Sequence, residues 1–372
     1  TITQTDLKNA LPDSSSTMHL SGLLKRVDVF RDQWGIPHIN AENEHDVFFA
    51  QGFVTAQDRL WQMDADRHLA LGRWSEWAGT SGVDQDRLLR AAGMGRTARL
   101  DYDVTSSEAR AMLDAYAAGV NAFLDTTKSL PIEYTILEEK PDRWQPWHCL
   151  AVYKMRNTLL GTFEAKLFRT RLVRAIGPEK VAAILKGYPK GHLLSTPPGA
   201  VFEGPTLDGL ELLSRIVEQL GGIDDDAFGS NGWSISGNFT RSGLPLIAGD
   251  SHRALDAPNV YYQGHLSCPE FSVIGFAVPG MPGALHFCHN SYVGWGMTHG
   301  GIDTQDLFIE RFREAAGGLE YEYRGGWYPA DVRTETVGLR GHEDIQIEVV
   351  VTRHGRIVAG DPRTGIGLAF SH

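Results

Sequence analysis

The interior stretch Gly229-Ser230-Asn231-Gly232-Trp233, directly after the acidic, turn-prone run Asp224-Asp225-Asp226-Ala227-Phe228, holds the residues best suited to chemistry. If the chain were cut between Gly229 and Ser230, Ser230 would carry both a hydroxyl and a free α-amine. A serine hydroxyl is a poor nucleophile until something accepts its proton. An α-amine has a pKa of about 7.7–8.0, so near neutrality it offers a neutral nitrogen as general base without heavy tuning. A serine freed in this way could attack an amide carbonyl, hold the acyl group as an ester and release the acid to water. The plain alternative is a loop serine that precedes a strand.

A second chemistry would use Asp250, His252, His286 and His289 as ligands of a metal-dependent hydrolase. No His-Glu-x-x-His pair supports it. His286 and His289 are three apart in a stretch that reads as strand, where they would face opposite sides. The cysteines, Cys149, Cys268 and Cys288, are odd in number and lie in apolar contexts, so they read as buried free thiols rather than a disulfide framework.

The elements that must position these residues fall into two textures. From Glu44 to Trp77 apolar residues recur at spacings of three and four, which predicts two consecutive amphipathic helices. Ser106-Ser107-Glu108 opens another helix through Phe123, with the serines as caps. A long helix is expected from Leu150 to Ile176, stopping at Gly177-Pro178. Before these, Val27-Asp28-Val29-Phe30 is a short β-like entry. Pro197, Pro198, Gly199, Gly204 and Pro205 punctuate a connector before the aspartates. After Ser230 the pattern turns to strands: Trp233 to Ser236, the buried-strand run Leu244 to Ala248, Phe271 to Val278, Leu285 to Trp295 and the alternation Ile345-Gln346-Ile347-Glu348-Val349. A helical first half and a β-rich second half predict an α+β protein.

With 372 residues, 42% hydrophobic and 22% charged, the chain can bury a substantial core. Its net charge of −11 argues against nucleic acid or an anionic membrane surface as partner. No apolar run approaches the ~18 residues of a membrane helix, and residues 1–17 carry no signal-peptide pattern.

Several ordered motifs together resemble the penicillin acylase family of N-terminal nucleophile hydrolases, which includes acylases of the cephalosporin and homoserine-lactone type. In the first block these are Asp32, Gly35-Ile36-Pro37-His38-Ile39, Ala56-Gln57-Asp58-Arg59-Leu60-Trp61-Gln62-Met63 and Gly72-Arg73-Trp74-Ser75-Glu76. In the second they are Gly229-Ser230-Asn231-Gly232-Trp233, the turn Gly249-Asp250-Ser251-His252, and His289-Asn290 followed by Gly294-Trp295-Gly296-Met297-Thr298-His299.

The resemblance implies a four-layer αββα sandwich and a zymogen that cleaves itself at Gly229-Ser230 into an α/β heterodimer. Residues 1–195 would be α-subunit-like, 196–229 a spacer, and 230–372 the start of a β-subunit. The activity implied is hydrolysis of a small-molecule N-acyl amide such as a β-lactam antibiotic or an acyl-homoserine lactone. No cofactor is required for that chemistry. The backbone N–H of His299 would supply one oxyanion donor, and His252 would orient or polarise the Ser230 amine. The second donor in the family is an asparagine far beyond the nucleophile. No asparagine lies between Asn290 and His372, so the chain reads as one piece of a longer protein, and a fragment that only binds ligand is the remaining alternative.

Asp303-Thr304-Gln305-Asp306 resembles the family's calcium loop, with Asp303, the Gln305 carbonyl, Asp306 and Glu164 from the α-subunit helix as oxygen ligands for a structural Ca²⁺. The best register instead places Lys166 at the helix position, where it would exclude the metal or replace it with a salt bridge. Arg156, Leu160 and Arg253 would line the acyl pocket, and two guanidiniums suit a carboxylate-bearing acyl group such as glutaryl. Export to the periplasm or secretion is the expected location, with no nucleic acid and no membrane as partners.

Overall fold

A computed structural model describes residues 2–158, 163–185, 229–253, 256–284, 286–298 and 304–371. The helices described are α1 (Gln4–Asn9), α2 (Glu44–Ala70), α3 (Ser75–Ala78), α4 (Val83–Ala92), α5 (Met94–Val104), α6 (Ser107–Thr126), α7 (Ile132–Leu137), α8 (Pro146–Thr158), α9 (Phe163–Ile176) and α10 (Pro178–Ile184). The strands begin with β1 (Asp28–Arg31), β2 (Pro37–Asn40), β3 (Gly229–Ile235), β4 (Leu246–His252), β5 (Tyr262–Ser267), β6 (Ser272–Ala277), β7 (Cys288–His289) and β8 (Gly294–Trp295). They continue with β9 (Asp306–Ala315), β10 (Gly318–Tyr323), β11 (Gly326–Pro329), β12 (Asp331–Val337), β13 (Ile345–Val351), β14 (Arg356–Asp361) and β15 (Ile366–Ser371). The chain is thus α+β, as its two textures predict.

The described residues divide into two compact units. One draws on Thr1–Ala70, Gly95–Met155 and Asp224–His299, the other on Leu71–Met94, Arg156–Ile223 and Gly300–His372. In the first unit a six-stranded sheet runs in the order β1-β2-β5-β6-β7-β8, and β3 pairs with β4 as a separate hairpin. The β2–β5 pair is parallel, joining a strand from early in the chain to one after Ser230. Ile39 on β2 and Leu266 on β5 are buried with Val47, Phe49, Phe53 and Val54 of α2 and Leu113, Tyr116, Val120 and Phe123 of α6. Their strand neighbours His38 and His265 point to the other face of the sheet, since side chains alternate along a strand.

The region Glu44 to Trp77 is predicted as two helices, and α2 departs from helical geometry inside its length, at Arg59 (φ −139°, ψ 17°). The Arg59 guanidinium and the Gln62 amide both donate to the carbonyl of Asn259, at 3.1 and 3.0 Å, so the chain turns where a loop carbonyl must be met. Ser106 caps α6 by accepting the N–H of Ala109 at 3.3 Å, as expected. The long helix expected from Leu150 corresponds to α8 and α9, which ends at Ile176 before Gly177. Gly177 takes φ +84° and Pro178 begins α10, which explains the stop.

Two strand expectations need correction. Gly249-Asp250-Ser251-His252 is not a turn but the second half of β4, kept extended by pairing along its whole length with β3. Leu246 and Ile247 are not buried: they are 51% and 46% exposed, since the described residues only partly cover that end of the hairpin.

In the second unit β9 to β15 form an antiparallel sheet in the order β11-β10-β9-β15-β14-β13-β12. Along β13, Ile347 and Val349 are buried while Gln346 and Glu348 are exposed, the alternation read from sequence. No described helix is long and apolar enough to cross a membrane. All three cysteines are buried free thiols, and burial pushes the Cys149 thiol up to about 12.

Candidate active site

Ser230 is the second residue of β3, and its environment follows from the register of one antiparallel pair. Ser230 lies directly opposite Ser251, Gly229 opposite His252, and Asn231 opposite Asp250. Directly opposed residues share a face and successive residues alternate, so the hairpin has two chemically distinct sides.

On one side stand Gly229, Asn231, Asp250 and His252. A Cβ added at Gly229 would lie 3.1 Å from His252 Nδ1, so the imidazole stands directly over the residue whose carbonyl precedes Ser230. His252 Nε2 is 3.3 Å from Asp250 Oδ2, a pairing of residues two apart on one strand. Both side chains are solvent-exposed, so the pair orients the ring more than it stabilises the fold.

On the other side stand Ser230, Gly232, Gly249 and Ser251. The Phe287 ring fills the space over Gly249, where an added Cβ would come within 1.8 Å of it. The Ser251 hydroxyl is 3.0 Å from the Tyr261 hydroxyl. The Tyr261 ring lies 4.7 Å from the His286 ring, tilted by 35°. Burial pulls the His286 imidazole below its ordinary range, and the Arg253 charge adds to that, so near neutrality His286 is the uncharged form.

The structure therefore brings Gly229, Ser230 and His252 together. Of the remaining expected site residues, His299, Leu160, Asp303 and the connector from 196 to 228 lie outside the described residues, as does the side chain of Glu164. Arg156 lies on α8 in one unit and Arg253 follows β4 in the other; both are half-buried. Among the described residues no group of three or more His, Cys, Asp or Glu is arranged to hold a metal, so Asp250, His252, His286 and His289 do not form the expected alternative centre. His286 instead packs on Tyr261, and His252 pairs with Asp250.

The calcium donor set fails a test of its own chemistry. Lys166 Nζ donates to the Gln305 carbonyl and forms an ion pair with the Asp306 carboxylate, two of the oxygens expected to face the metal. Gln305 is 1% exposed, while Lys166 and Asp306 are partly exposed. An ammonium and a divalent cation cannot share those oxygens, and the described residues do not fit Ca²⁺.

Sequence reading passed over Ser251, Tyr261 and Phe287. Ser251 lies inside one of the family motifs, but read as a turn it has no defined face; its place opposite Ser230 follows from the β3–β4 register. Tyr261 and Phe287 carry no local signal, because only the folded chain brings them to the hairpin.

Residues 26–371 match the family described as penicillin amidase. This chain belongs to that family. Among penicillin amidase relatives, the "Penicillin acylase 2 proenzyme" of Pseudomonas sp. (strain SE83) is 40% identical over 369 residues, covering 98% of this chain and 47% of that protein. An "Acyl-homoserine lactone acylase QuiP" of Pseudomonas fluorescens (strain Pf0-1) is 33% identical over 379 residues, 98% of this chain and 46% of that protein. The "Penicillin G acylase" of Escherichia coli is 25% identical over 402 residues, 93% of this chain and 47% of that protein. The chain thus spans a little under half the length of these relatives.

Proposed function

We propose that this protein hydrolyses the amide bond of small N-acyl compounds through an acyl-enzyme on Ser230, after the chain splits itself between Gly229 and Ser230. The observation that carries the reading is the β3–β4 register, which sets a histidine against Gly229 and leaves the Ser230 side chain on the other side of the hairpin. In maturation Ser230 Oγ attacks the Gly229 carbonyl carbon, the C–N bond breaks, and the nitrogen leaves as the amine after taking up a proton. Water then hydrolyses the ester, giving a Gly229 carboxylate and an N-terminal Ser230. In turnover that amine accepts the hydroxyl proton as Oγ attacks the substrate carbonyl, and water later releases the acid. His252, steadied by Asp250, polarises the amine, and the His299 N–H stabilises the oxyanion.

Supporting this, relatives named as penicillin acylases and acyl-homoserine lactone acylases match nearly the whole chain, and one of them is named a proenzyme. Residues 1–195 then form an α-subunit, 196–229 the spacer, and 230–372 part of a β-subunit in a heterodimer acting outside the cytoplasm. Arg156, Leu160 and Arg253 are proposed for acyl-group selection on the family resemblance alone, and a guanidinium favours a carboxylate-bearing acyl group. No metal takes part in the chemistry.

Mass spectrometry of the purified full-length protein checks this directly. The expected result is a fragment beginning at Ser230 in the wild type and an intact chain in Ser230→Ala, which also loses hydrolysis of chromogenic N-acyl anilides. A wild-type protein that hydrolyses these amides without splitting would sink the mechanism.

A further inference from the structure

Ser230 and His252 lie on opposite faces of the hairpin, so the histidine does not share a face with the nucleophile's side chain. Ser251 does. Directly opposed residues in an antiparallel pair have Cβ atoms about 4.5–5.5 Å apart, which lets two short hydroxyl side chains meet. Ser251 is itself engaged on its far side by the Tyr261 hydroxyl at 3.0 Å. Tyr261 has little freedom: its ring packs against His286 at 4.7 Å, Phe276 at 6.3 Å and Phe287 at 6.5 Å.

We propose that the Tyr261 and Ser251 hydroxyls are a positioning relay for the Ser230 hydroxyl, an inference that rests on Ser230 being the nucleophile. A serine side chain has three staggered rotamers, and only one aims Oγ at a carbonyl on a given side. In the relay the Tyr261 O–H donates to Ser251 Oγ, and the Ser251 O–H donates to Ser230 Oγ. Ser230 then keeps its own proton for the base and a lone pair for attack. No proton leaves Tyr261 or Ser251, so the step needs no further acid or base. The packed ring holds the phenol in place, the phenol holds Ser251, and Ser251 selects the rotamer of Ser230. Because one hydroxyl performs both reactions, the relay serves chain splitting as well as turnover.

The test compares wild type, Ser251→Ala, Ser251→Thr, Tyr261→Phe and Ser230→Ala of the full-length protein. It measures the first-order rate of splitting at Gly229-Ser230 and the kcat and KM on a chromogenic N-acyl anilide. Ser251→Ala and Tyr261→Phe are expected to slow splitting and lower kcat by about tenfold each, the effect of one lost hydrogen bond, with KM within about twofold of wild type. Ser251→Thr, which keeps the hydroxyl, is expected to recover most of both rates. Tyr261→Phe preserves the ring packing, so a loss there reports the hydroxyl and not the fold. Wild-type rates in Ser251→Ala and Tyr261→Phe, or a change in KM alone, beside an inert Ser230→Ala, would overturn the relay and leave the nucleophile standing. A Ser230→Ala protein that still splits and hydrolyses would overturn the nucleophile, and the relay with it.

Discussion

Across the hairpin Ser230 has two neighbours that bear on its candidate role, His252 opposite Gly229 and Ser251 directly opposite Ser230 itself. Residues of one type take different tasks here according to what surrounds them. His252 is exposed and paired with Asp250, whereas His286 is packed on Tyr261 and His265 lies 3.1 Å from His38, nitrogen to nitrogen. Burial lowers the pKa of His286, with Arg253 adding to it. Burial also lowers that of His265, with His38 and His289 adding to it. Well above pH 6.5, the unperturbed value, these imidazoles are neutral in both folded and unfolded chains and contribute no pH dependence. Below it the unfolded chain takes up protons that the folded chain refuses, so stability falls as the pH drops toward the depressed folded values. Urea midpoints are therefore expected to decline between pH 7 and pH 5, above the carboxylate range of about 3.9–4.3, with a shallower decline in His286→Gln and His265→Gln.

At the scale of elements, two contacts decide how helices are held. The α2–α6 crossing is a backbone approach: a Cβ at Gly119 would lie 1.8 Å from the Phe49 carbonyl oxygen, and one at Gly52 would lie 2.1 Å from that of Tyr116. Neither carbonyl belongs to a side chain that can swing aside. Gly119→Ala is expected to force the helices apart and cost about 1–3 kcal/mol in denaturant unfolding, despite alanine's better helix propensity. The other contact is Lys166, whose ammonium ties α9 to the start of β9 through the Gln305 carbonyl and Asp306. Lys166→Met should lower stability by about 1–2 kcal/mol, since it leaves a buried carbonyl and a carboxylate without their cation. Chelator and added calcium should leave the wild-type melting temperature unchanged, whereas Lys166→Glu restores a divalent-type donor set and should gain stability from millimolar calcium. Terbium luminescence gives the same comparison without an activity assay. Calcium-dependent melting of the wild type would refute the lysine's role.

Across the whole molecule, much of the plan is written in local pattern. The helical first half, the cap at Ser106, the stop at Gly177 and the alternation of β13 are short-range effects of propensity and periodicity, and each appears where the chain predicts it. The family motifs were legible for the same reason, yet several of them serve as scaffold. Asp58 holds Arg31 in an ion pair at 2.7 Å and accepts the Tyr262 hydroxyl, while the N–H groups of Trp74 and Ser75 are taken by Asp86 at 2.8 and 2.7 Å. The division into compact units was not legible, because residues Leu71–Met94 leave the helical half to join strands more than two hundred positions later. Nor was the parallel β2–β5 pair, which unites segments on either side of the expected cleavage point. The sequence by itself determined the nucleophile candidate, the family and the mixed α+β character, since these depend on residue identity and near spacing. Only the tertiary structure decided that His252 and Ser230 occupy opposite faces, that Ser251, in contact with Tyr261, stands opposite Ser230, and that Lys166 takes the oxygens expected to face a metal. Those outcomes depend on cross-strand register and on contacts between residues far apart in the chain, which local composition does not encode.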